Sequence, residues 1–179
     1  MRVSCDSTSA VIIDVQERLL PVMDHPEETL SRIVALVRGL GILEVPMIMT
    51  EQYPKGLGPT VSQVTAVLPA EPVVKSAFSC CDDSYFSARL ENLGCKTVLL
   101  AGIEAHVCVL QTTVDLLERG YMPVVVADAT SSRTPRDRDI AFRRMEVEGA
   151  RLTTVESILF ELTRESGTPL FKEISRLVK

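Results

Sequence analysis

Three polar residues with complementary chemistry each follow an apolar run in this 179-residue chain. Asp14 ends "AVIID", Lys75 ends "PVVK", and Cys108 follows "TVLLAGIEAHV" where a helix is predicted to begin. A carboxylate can take the proton of a thiol, and an ammonium group can stabilise both anions. A helix N-terminus can also lower the pKa of a thiol. The three residue types therefore predict an activated cysteine nucleophile.

Each of the three residues, taken alone, has a structural interpretation that is more common. An aspartate at the end of a strand often caps a turn, and a lysine there is often solvated. Free cysteine is among the most buried residue types, so Cys108 alone would be read as a core residue. The combination is much rarer than its parts, and the chemical interpretation requires that the three side chains meet in space.

The elements that would position these residues alternate along the chain. Short apolar runs rich in β-branched residues predict six strands, and segments with helical periodicity lie between them. The strands are "SAVIIDV", "VPMIMT", "PVVKS", "TVLLAG", "MPVVVAD" and "ARLTTV"; the helices are "EETLSRIVALVRGLGI", "SYFSARLENLG", "VCVLQTTVDLLERG" and "RDRDIAFRRMEVEG". Several of the helical segments end at glycine, as helix C-termini commonly do.

This alternation predicts an α/β fold with three layers, α/β/α, around a mostly parallel six-stranded, Rossmann-like sheet. Strands that are apolar throughout indicate a sheet covered by helices on both faces. The C-terminal ends of parallel strands meet at one edge, so Asp14, Lys75 and Cys108 are expected to converge there. No repeat or linker interrupts the pattern, and "EQYPKGLGPTVSQ" is the long glycine- and proline-containing loop. We therefore expect one domain over residues 1–179.

Charge and hydropathy restrict the partners. The net charge of −5 argues against broad nucleic-acid binding, which depends on clustered Lys and Arg. Aspartates interrupt the arginine-rich run "RTPRDRDIAFRR", which favours a solvated helix face or a subunit contact over a phosphate site. No apolar run approaches the roughly 18 residues of a membrane span. We expect a small-molecule substrate and no membrane partner.

The cysteines indicate a reducing compartment. Five is an odd number, their spacing does not match zinc sites, and no secretory signal precedes them. A cytoplasmic location is predicted, and mitochondrial association stays open as an alternative although the N-terminus shows no clear transit peptide. Structural roles are expected for Cys5, Cys80, Cys81 and Cys95.

The order of these motifs resembles the isochorismatase-like cysteine hydrolase family, which includes nicotinamidases and N-carbamoylsarcosine amidohydrolase. The resemblance runs from about Ala10 to Leu159 and is most specific at "GIEAHVCV", "TTVDLLERGY" and "VVVADAT". The segments "TEQYPKGLG" and "SSR" resemble a narrower subgroup, the isochorismatase-domain-containing proteins, whose natural substrates are generally unassigned. This resemblance implies an isochorismatase-like hydrolase fold and a homo-oligomer.

The resemblance also implies roles for individual residues. Asp14 would be the general base, Lys75 its ion-pair partner and Cys108 the nucleophile. Backbone N–H groups of Glu104 and Cys108 would form the oxyanion hole, with a cis peptide bond at Ile103–Glu104.

Three further side chains are candidates for the mouth of the substrate pocket. The resemblance places Gln16, Tyr53 and Phe78 in the loops around the substrate. Packing within those loops is an equally good interpretation.

No metal and no cofactor are expected. Nicotinamidases bind a metal through an aspartate and histidines in the loop after the second strand, where this chain reads "TEQYPKGLGPT". His25 and His106 are the only histidines, one predicted in a helix-entry loop and the other in the turn before Cys108. Neither supplies the missing ligands.

The sequence therefore predicts a cysteine hydrolase that cleaves an amide or related C–N bond of a small molecule through a thioester. Two alternatives stay open. One is an RNA-processing protein with the same fold, and the other is a non-catalytic interaction protein whose site has decayed. Burial of all three residues without a pocket would favour the second alternative.

Overall fold

The computed structural model describes residues 2–179 and confirms all six predicted strands. They pair in the order β3-β2-β1-β4-β5-β6, and every neighbouring pair is parallel. The sheet predicted as mostly parallel is thus entirely parallel within the described residues. The strands are β1 (Thr8–Ile13), β2 (Met47–Gln52), β3 (Val73–Lys75), β4 (Thr97–Ile103), β5 (Met122–Ser131) and β6 (Arg151–Thr153).

Eight α-helices accompany the sheet in the described part of the chain, and four of them correspond to the predicted segments. These four are α1 (Pro26–Ile42), α4 (Ser84–Asn92), α5 (Leu110–Glu118) and α6 (Pro135–Glu148). The others are α2 (Pro54–Leu57), α3 (Ser62–Thr65), α7 (Val155–Thr163) and α8 (Pro169–Leu177). The predicted loop over residues 51–63 is therefore partly ordered, since β2 extends to Gln52 and two short helices follow.

The helices α7 and α8 were not predicted, although their start signals are present in the sequence. The Thr154 hydroxyl accepts a hydrogen bond from the amide of Ser157, and the Thr168 hydroxyl accepts one from the amide of Phe171. Threonine at this position satisfies one of the free amides of the first helical turn. A proline at the first position of α8 adds a second start signal.

The core lies on both faces of the sheet, which confirms the three-layer prediction. On β1, Ala10 and Ile12 pack into one apolar cluster, while Val11 and Ile13 pack into the other. The first cluster includes residues of α1, α7 and α8, and the second includes residues of α4, α5 and α6. Because β1 is covered on both sides, each of its six residues is buried. Its sequence from Ala10 to Ile13 is accordingly apolar at every position and does not alternate with polar residues.

Gly102, near the end of β4, allows β4 to pack closely against β1. Its φ is +121°, and a Cβ atom there would lie 2.1 Å from the backbone oxygen of Ile13. Only glycine fits, because the conformation is unfavourable for other residues and the space is filled by backbone. This close approach lies next to Asp14, the residue that follows β1.

We predict that Gly102→Ala lowers the free energy of unfolding by several kcal/mol, roughly the 3–5 kcal/mol typical of the most damaging single changes. Gly41→Ala is the matched control, since Gly41 lies in α1 with no atom within 4 Å of the added Cβ. It should be neutral or stabilising by up to about 1 kcal/mol. Urea denaturation of both variants checks this, and equal stability of the two would contradict the packing argument.

Candidate active site

The sheet order brings the three predicted residues to one edge. Asp14 follows the last residue of β1, Lys75 is the last residue of β3, and Cys108 lies in the turn after β4. β1 is paired with β4 on one side and with β2 on the other, and β2 in turn pairs with β3. The C-terminal ends of these parallel strands therefore collect residues that are distant in sequence.

Lys75 and Asp14 form a buried ion pair. The distance from Lys75 Nζ to Asp14 Oδ2 is 2.8 Å, and neither side chain is exposed to solvent. Lys75 Nζ also donates to Gln52 Oε1 at 2.7 Å and to the backbone oxygens of Phe78 at 3.1 Å and Ala77 at 3.3 Å. The ammonium group is thus surrounded by acceptors, which is what makes its burial possible.

The carboxylate of Asp14 is held from its other side by Thr50. The hydroxyl of Thr50 donates to Asp14 Oδ1 at 2.7 Å, and the amide of Asp14 donates to the backbone oxygen of Thr50 at 3.2 Å. Asp14 has a φ of +54°, a left-handed conformation that a non-glycine residue adopts infrequently. Both carboxylate oxygens are therefore fixed by contacts from neighbouring strands.

Cys108 lies in a π-helical turn, Ala105–Val109, that precedes α5. The helix predicted from Val107 thus begins with a wider turn at Ala105. The peptide bond between Ile103 and Glu104 is cis, as the family resemblance implied. Cys108 is only 5% exposed.

The pKa of Cys108 lies well above its usual range instead of below it. Burial is the largest cause, the negative charge of Asp14 adds to it, and the nearby charge of Lys75 offsets only part of the rise, leaving the pKa at about 12. The expected lowering by a helix N-terminus is therefore outweighed by desolvation and by the adjacent carboxylate. The thiol is protonated at neutral pH, so it needs a base to become a nucleophile.

Lys75 responds to the same surroundings with a raised pKa. Burial acts to lower it, but the charge of Asp14, supplemented by the thiol groups of Cys80 and Cys108, outweighs burial. Lys75 therefore stays positively charged near neutral pH and compensates the carboxylate beside it.

Gln16 is fully buried and binds backbone rather than lining an opening. Its Nε2 donates to the backbone oxygens of Gly58 at 2.6 Å and Gln52 at 3.0 Å, and its Oε1 accepts from the amide of Gln52 at 2.8 Å. These contacts join the loop after β1 to the last residue of β2 and to the loop that follows it. The geometry of Gln16 fits the loop-packing interpretation.

Tyr53 and Phe78 lie beside Lys75 with exposed rings. Tyr53 is 59% exposed and Phe78 is 54% exposed. The amide of Tyr53 donates to the backbone oxygen of Lys75 at 3.0 Å, and the carbonyl of Phe78 accepts from Lys75 Nζ. Two aromatic side chains therefore border the loops around the ion pair on the solvent side, and substrate contact by them stays a prediction.

Two contacts that were not predicted join the Cys108 turn to the loop after β5. Glu104 Oε2 accepts from Arg133 Nε at 2.9 Å, and His106 Nδ1 lies 2.9 Å from the hydroxyl of Ser132. The sequence marks "SSR" only through the family resemblance, and it predicts a solvated helix face or a subunit contact for the arginine-rich run that contains Arg133. Partners that lie 26 and 29 positions apart leave no periodic signal in the sequence.

All five cysteines are free thiols, and the four outside the predicted trio differ in burial. Cys80 is fully buried in a short turn, Cys80–Asp82, and burial raises its pKa to about 12. Burial likewise raises the pKa of Cys81 to about 11. Cys95 follows α4 and is 7% exposed, and Cys5 lies half-buried in a turn near the N-terminus.

The loop after β2 does not gather metal ligands. Glu51 Oε1 accepts from both the amide and the hydroxyl of Thr60, at 2.7 and 2.8 Å. His25 precedes α1, as predicted, and lies 3.6 Å from Asp24. Within residues 2–179, no group of three or more His, Cys, Asp or Glu side chains is arranged to hold a metal ion.

Two cavities lie away from the three residues. One of about 550 Å³ is lined by residues of α1, α3 and α8, and one of about 190 Å³ lies between Ser79, Asp115 and Arg144. Neither has Asp14, Lys75 or Cys108 in its lining. Across the described residues, no helix is long and apolar enough to cross a membrane.

The chain is similar to known proteins over most of its length. The family model of the isochorismatase domain matches residues 8–157. Isochorismatase domain-containing protein 2 of Danio rerio is 39% identical over 178 residues, which cover 99% of this chain and 89% of the relative. The narrower subgroup suggested by the "TEQYPKGLG" segment is therefore also represented among the relatives.

Solved structures extend the likeness to the whole chain. A MAR1 ribonuclease from Caenorhabditis elegans is 42% identical with a TM-score of 0.92, covering 99% of this chain and 92% of the other. YcaC from Pseudomonas aeruginosa, solved with hexane-2,5-diol and covalent acrylamide, is 28% identical with a TM-score of 0.91 (97% and 89%). YcaC from Escherichia coli, an octameric hydrolase of unknown specificity, is 26% identical with a TM-score of 0.89 (92% and 83%).

These matches agree in fold and span nearly all of the chain. They confirm the predicted α/β architecture and indicate a hydrolase-like protein. The extent of the family match, together with identity near 40% over almost the full length, shows that this chain belongs to the isochorismatase domain family.

Proposed function

We propose that the protein is a cysteine hydrolase that cleaves an amide or related C–N bond of a small molecule through a thioester. The observation that carries the proposal is the buried Lys75–Asp14 ion pair beside the protonated thiol of Cys108. An ionised carboxylate next to a neutral thiol is the arrangement that general-base activation of a nucleophile requires. Burying a charged pair is costly, and use in catalysis explains why the fold retains it.

The reaction begins when Asp14 takes the proton of Cys108 as the sulfur attacks the carbonyl carbon. The tetrahedral intermediate then collapses, the C–N bond breaks, and the amine leaves with the proton that Asp14 held. Water, deprotonated by Asp14, attacks the thioester, releasing the carboxylic acid and restoring the thiol. Lys75 stabilises the carboxylate form of Asp14 before and after each proton transfer, because its ammonium lies 2.8 Å from Asp14 Oδ2.

Backbone amides of Glu104 and Cys108 are proposed to stabilise the oxyanion. The amides of Val107 and Val109 both donate to the backbone oxygen of Glu104, at 3.1 and 3.2 Å. The amide of Cys108, between them, does not donate to that oxygen. Such preorganised donors typically contribute 10²–10³-fold to the rate of acyl transfer.

RNA cleavage is a second candidate, favoured by the 42% identity to a protein described as a ribonuclease. Against it, α6 carries as many acidic as basic side chains, so this arginine-rich helix is not a cationic face. His106 is engaged with Ser132, and His25 lies next to Asp24. Incubation with labelled RNA, with Cys108→Ala prepared in parallel as the control for contaminating nuclease, tests this candidate directly.

A non-catalytic interaction protein is the third candidate, and the burial of all three residues favours it. Asp14, Lys75 and Cys108 are 0%, 2% and 5% exposed. An exposure of 5% is compatible with a reactive thiol and with an inaccessible one. Chemical labelling of Cys108 therefore decides between the two candidates.

A homo-oligomer is proposed for the assembly. Its support is the octameric hydrolase from Escherichia coli, which matches 92% of this chain. A reducing compartment such as the cytoplasm is proposed from the five free cysteines, since disulfides prevail in oxidising environments. Light scattering of the purified protein measures the oligomer directly.

We predict that acrylamide modifies Cys108 faster than Cys95 at pH 7–8. The two thiols are similarly exposed, at 5% and 7%, and burial raises the pKa of both, so faster addition at Cys108 requires a base that takes its proton during the attack, which is the role proposed for Asp14. Peptide mass mapping after timed exposure gives both rates. Faster modification of Cys95 would favour the non-catalytic candidate, whereas labelling of the more exposed Cys5 carries no weight.

The reaction itself is tested with a panel of small primary amides and a coupled assay for ammonia. Hydrolysis by the wild-type protein, abolished in Cys108→Ala, supports the proposal. Intact-mass spectrometry of rapidly quenched samples should show the added acyl group on Cys108. Hydrolysis that persists in Cys108→Ala would exclude a thioester.

A further inference from the structure

The side-chain amide of Gln52 contacts the charged end of Lys75. Gln52 Oε1 accepts from Lys75 Nζ at 2.7 Å, while Gln52 Nε2 donates to the backbone oxygen of Ser76 at 2.8 Å. An amide has an acceptor end and a donor end, so the two contacts together fix its orientation. Reversal would set an N–H group against an ammonium ion.

The backbone of Gln52 is in turn fixed by the buried amide of Gln16. Gln16 accepts from the Gln52 amide and donates to the Gln52 carbonyl, in the way a neighbouring strand would. A second donor hydrogen of Gln16 goes to the carbonyl of Gly58. The position of the Gln52 oxygen is therefore set by the fold and not by a freely rotating side chain.

Lys75 has more acceptors than hydrogens. Its ammonium group has three N–H donors, and four oxygens lie within 3.3 Å: those of Asp14, Gln52, Phe78 and Ala77. The contacts to Asp14 and Gln52 are the shortest. Loss of the Gln52 oxygen would leave Asp14 as the one short contact, with two longer ones to backbone carbonyls, so the charged form of Lys75 would be less well stabilised.

We infer that Gln52 is a positioning residue that holds the Lys75 ammonium against Asp14 and thereby sets the upper pH limit of the site. The inference rests on the proposed function, because it assigns a task to the ion pair. The titratable groups that face Lys75 are Asp14 after β1, Cys80 in the turn before α4 and Cys108 before α5. Gln52 is the neutral side chain among its partners.

Two substitutions at Gln52 should move the pH dependence in opposite directions. Gln52→Met keeps the length but removes the acceptor, so a buried Lys75 loses its proton more easily and the alkaline limb of the rate profile moves down by roughly one pH unit. Gln52→Glu keeps the acceptor and adds negative charge, so the alkaline limb moves up. In both variants kcat falls while KM changes little, because Gln52 is not proposed to touch the substrate.

The pH dependence of Cys108 alkylation by iodoacetamide measures the loss of the Lys75 charge at alkaline pH without a substrate. The rate rises with pH as the thiolate forms, and the rise flattens where Lys75 loses its charge. Flattening at a lower pH in Gln52→Met and at a higher pH in Gln52→Glu supports the inference. Gln63→Met, on the exposed surface of α3, is the control and should match the wild type.

Melting temperatures separate positioning from a purely structural role. An unchanged pH dependence in both Gln52 variants overturns the inference, whether or not the variants are less stable. If the wild-type protein hydrolyses no amide but the alkylation limbs still shift in opposite directions, the hydrolase proposal fails and the role of Gln52 stands.

Discussion

Lys75→Met is expected to lower the free energy of unfolding by about 3–5 kcal/mol, because it leaves a buried carboxylate without its counter-ion. Neither side chain of the Lys75–Asp14 pair is exposed, so water cannot replace the lost charge. The substitution also leaves Gln52 Oε1 without its donor. Urea denaturation at pH 7 measures the change.

The matched control is Lys55→Met, at an exposed lysine in α2. Its stability should stay within about 0.5 kcal/mol of the wild type. The double variant Asp14→Asn/Lys75→Met should recover part of the loss, since it no longer buries an unpaired charge. Equal stability of Lys75→Met and Lys55→Met would mean that the ion pair contributes nothing to the fold.

A general argument about catalytic residues gives the opposite expectation for Lys75. A catalytic cluster is often poorly optimised for stability, so that removing the charge would leave the protein as stable or more so. The structure shows instead that the charge has no exposed surface and several acceptors. The double variant Asp14→Asn/Lys75→Met tests whether the charged cluster is poorly optimised for stability. Lys75→Met alone tests whether an unpaired buried carboxylate destabilises the fold.

The sequence was informative where one-dimensional patterns determine structure. Strands buried on both faces must be apolar throughout, so the central strands could be identified from runs such as Ala10–Ile13, and the alternation of six short apolar runs with helices implied the parallel sheet. The positions of Asp14, Lys75 and Cys108 at strand ends followed from the same pattern.

The sequence was uninformative where the outcome depends on distances between distant residues. The pKa of Cys108 follows from burial and from a carboxylate 94 positions away, not from the adjacent helix start. The contacts of Gln52 with Lys75 and of Glu104 with Arg133 likewise depend on loops that no periodicity describes. Hydrogen-bond partners of this kind can be assigned only once the fold is known.

Asp14→Asn is expected to have opposite effects on turnover and on formation of the Cys108 thiolate. Turnover should fall by about 10²–10⁴-fold, since the base that accepts the thiol proton is lost. Thiolate formation should become easier, because the charge of Asp14 raises the pKa of Cys108 while that of Lys75 lowers it. With the carboxylate removed and the ammonium retained, the pKa falls from about 12, and more thiolate is present at pH 8–9.

The ultraviolet absorbance of the thiolate at pH 8–9, taken for each protein as the difference from its Cys108→Ala counterpart, measures the thiolate, and the amide assay measures turnover. Asp115→Asn, on α5, serves as the control because Asp115 is not among the groups that shift the Cys108 pKa. Because base and nucleophile act in one step, Asp14→Asn/Cys108→Ala should be hardly slower than Cys108→Ala alone. If the thiolate absorbance and turnover instead fall together in Asp14→Asn, the carboxylate supports a resting thiolate, and its assignment as the general base is wrong.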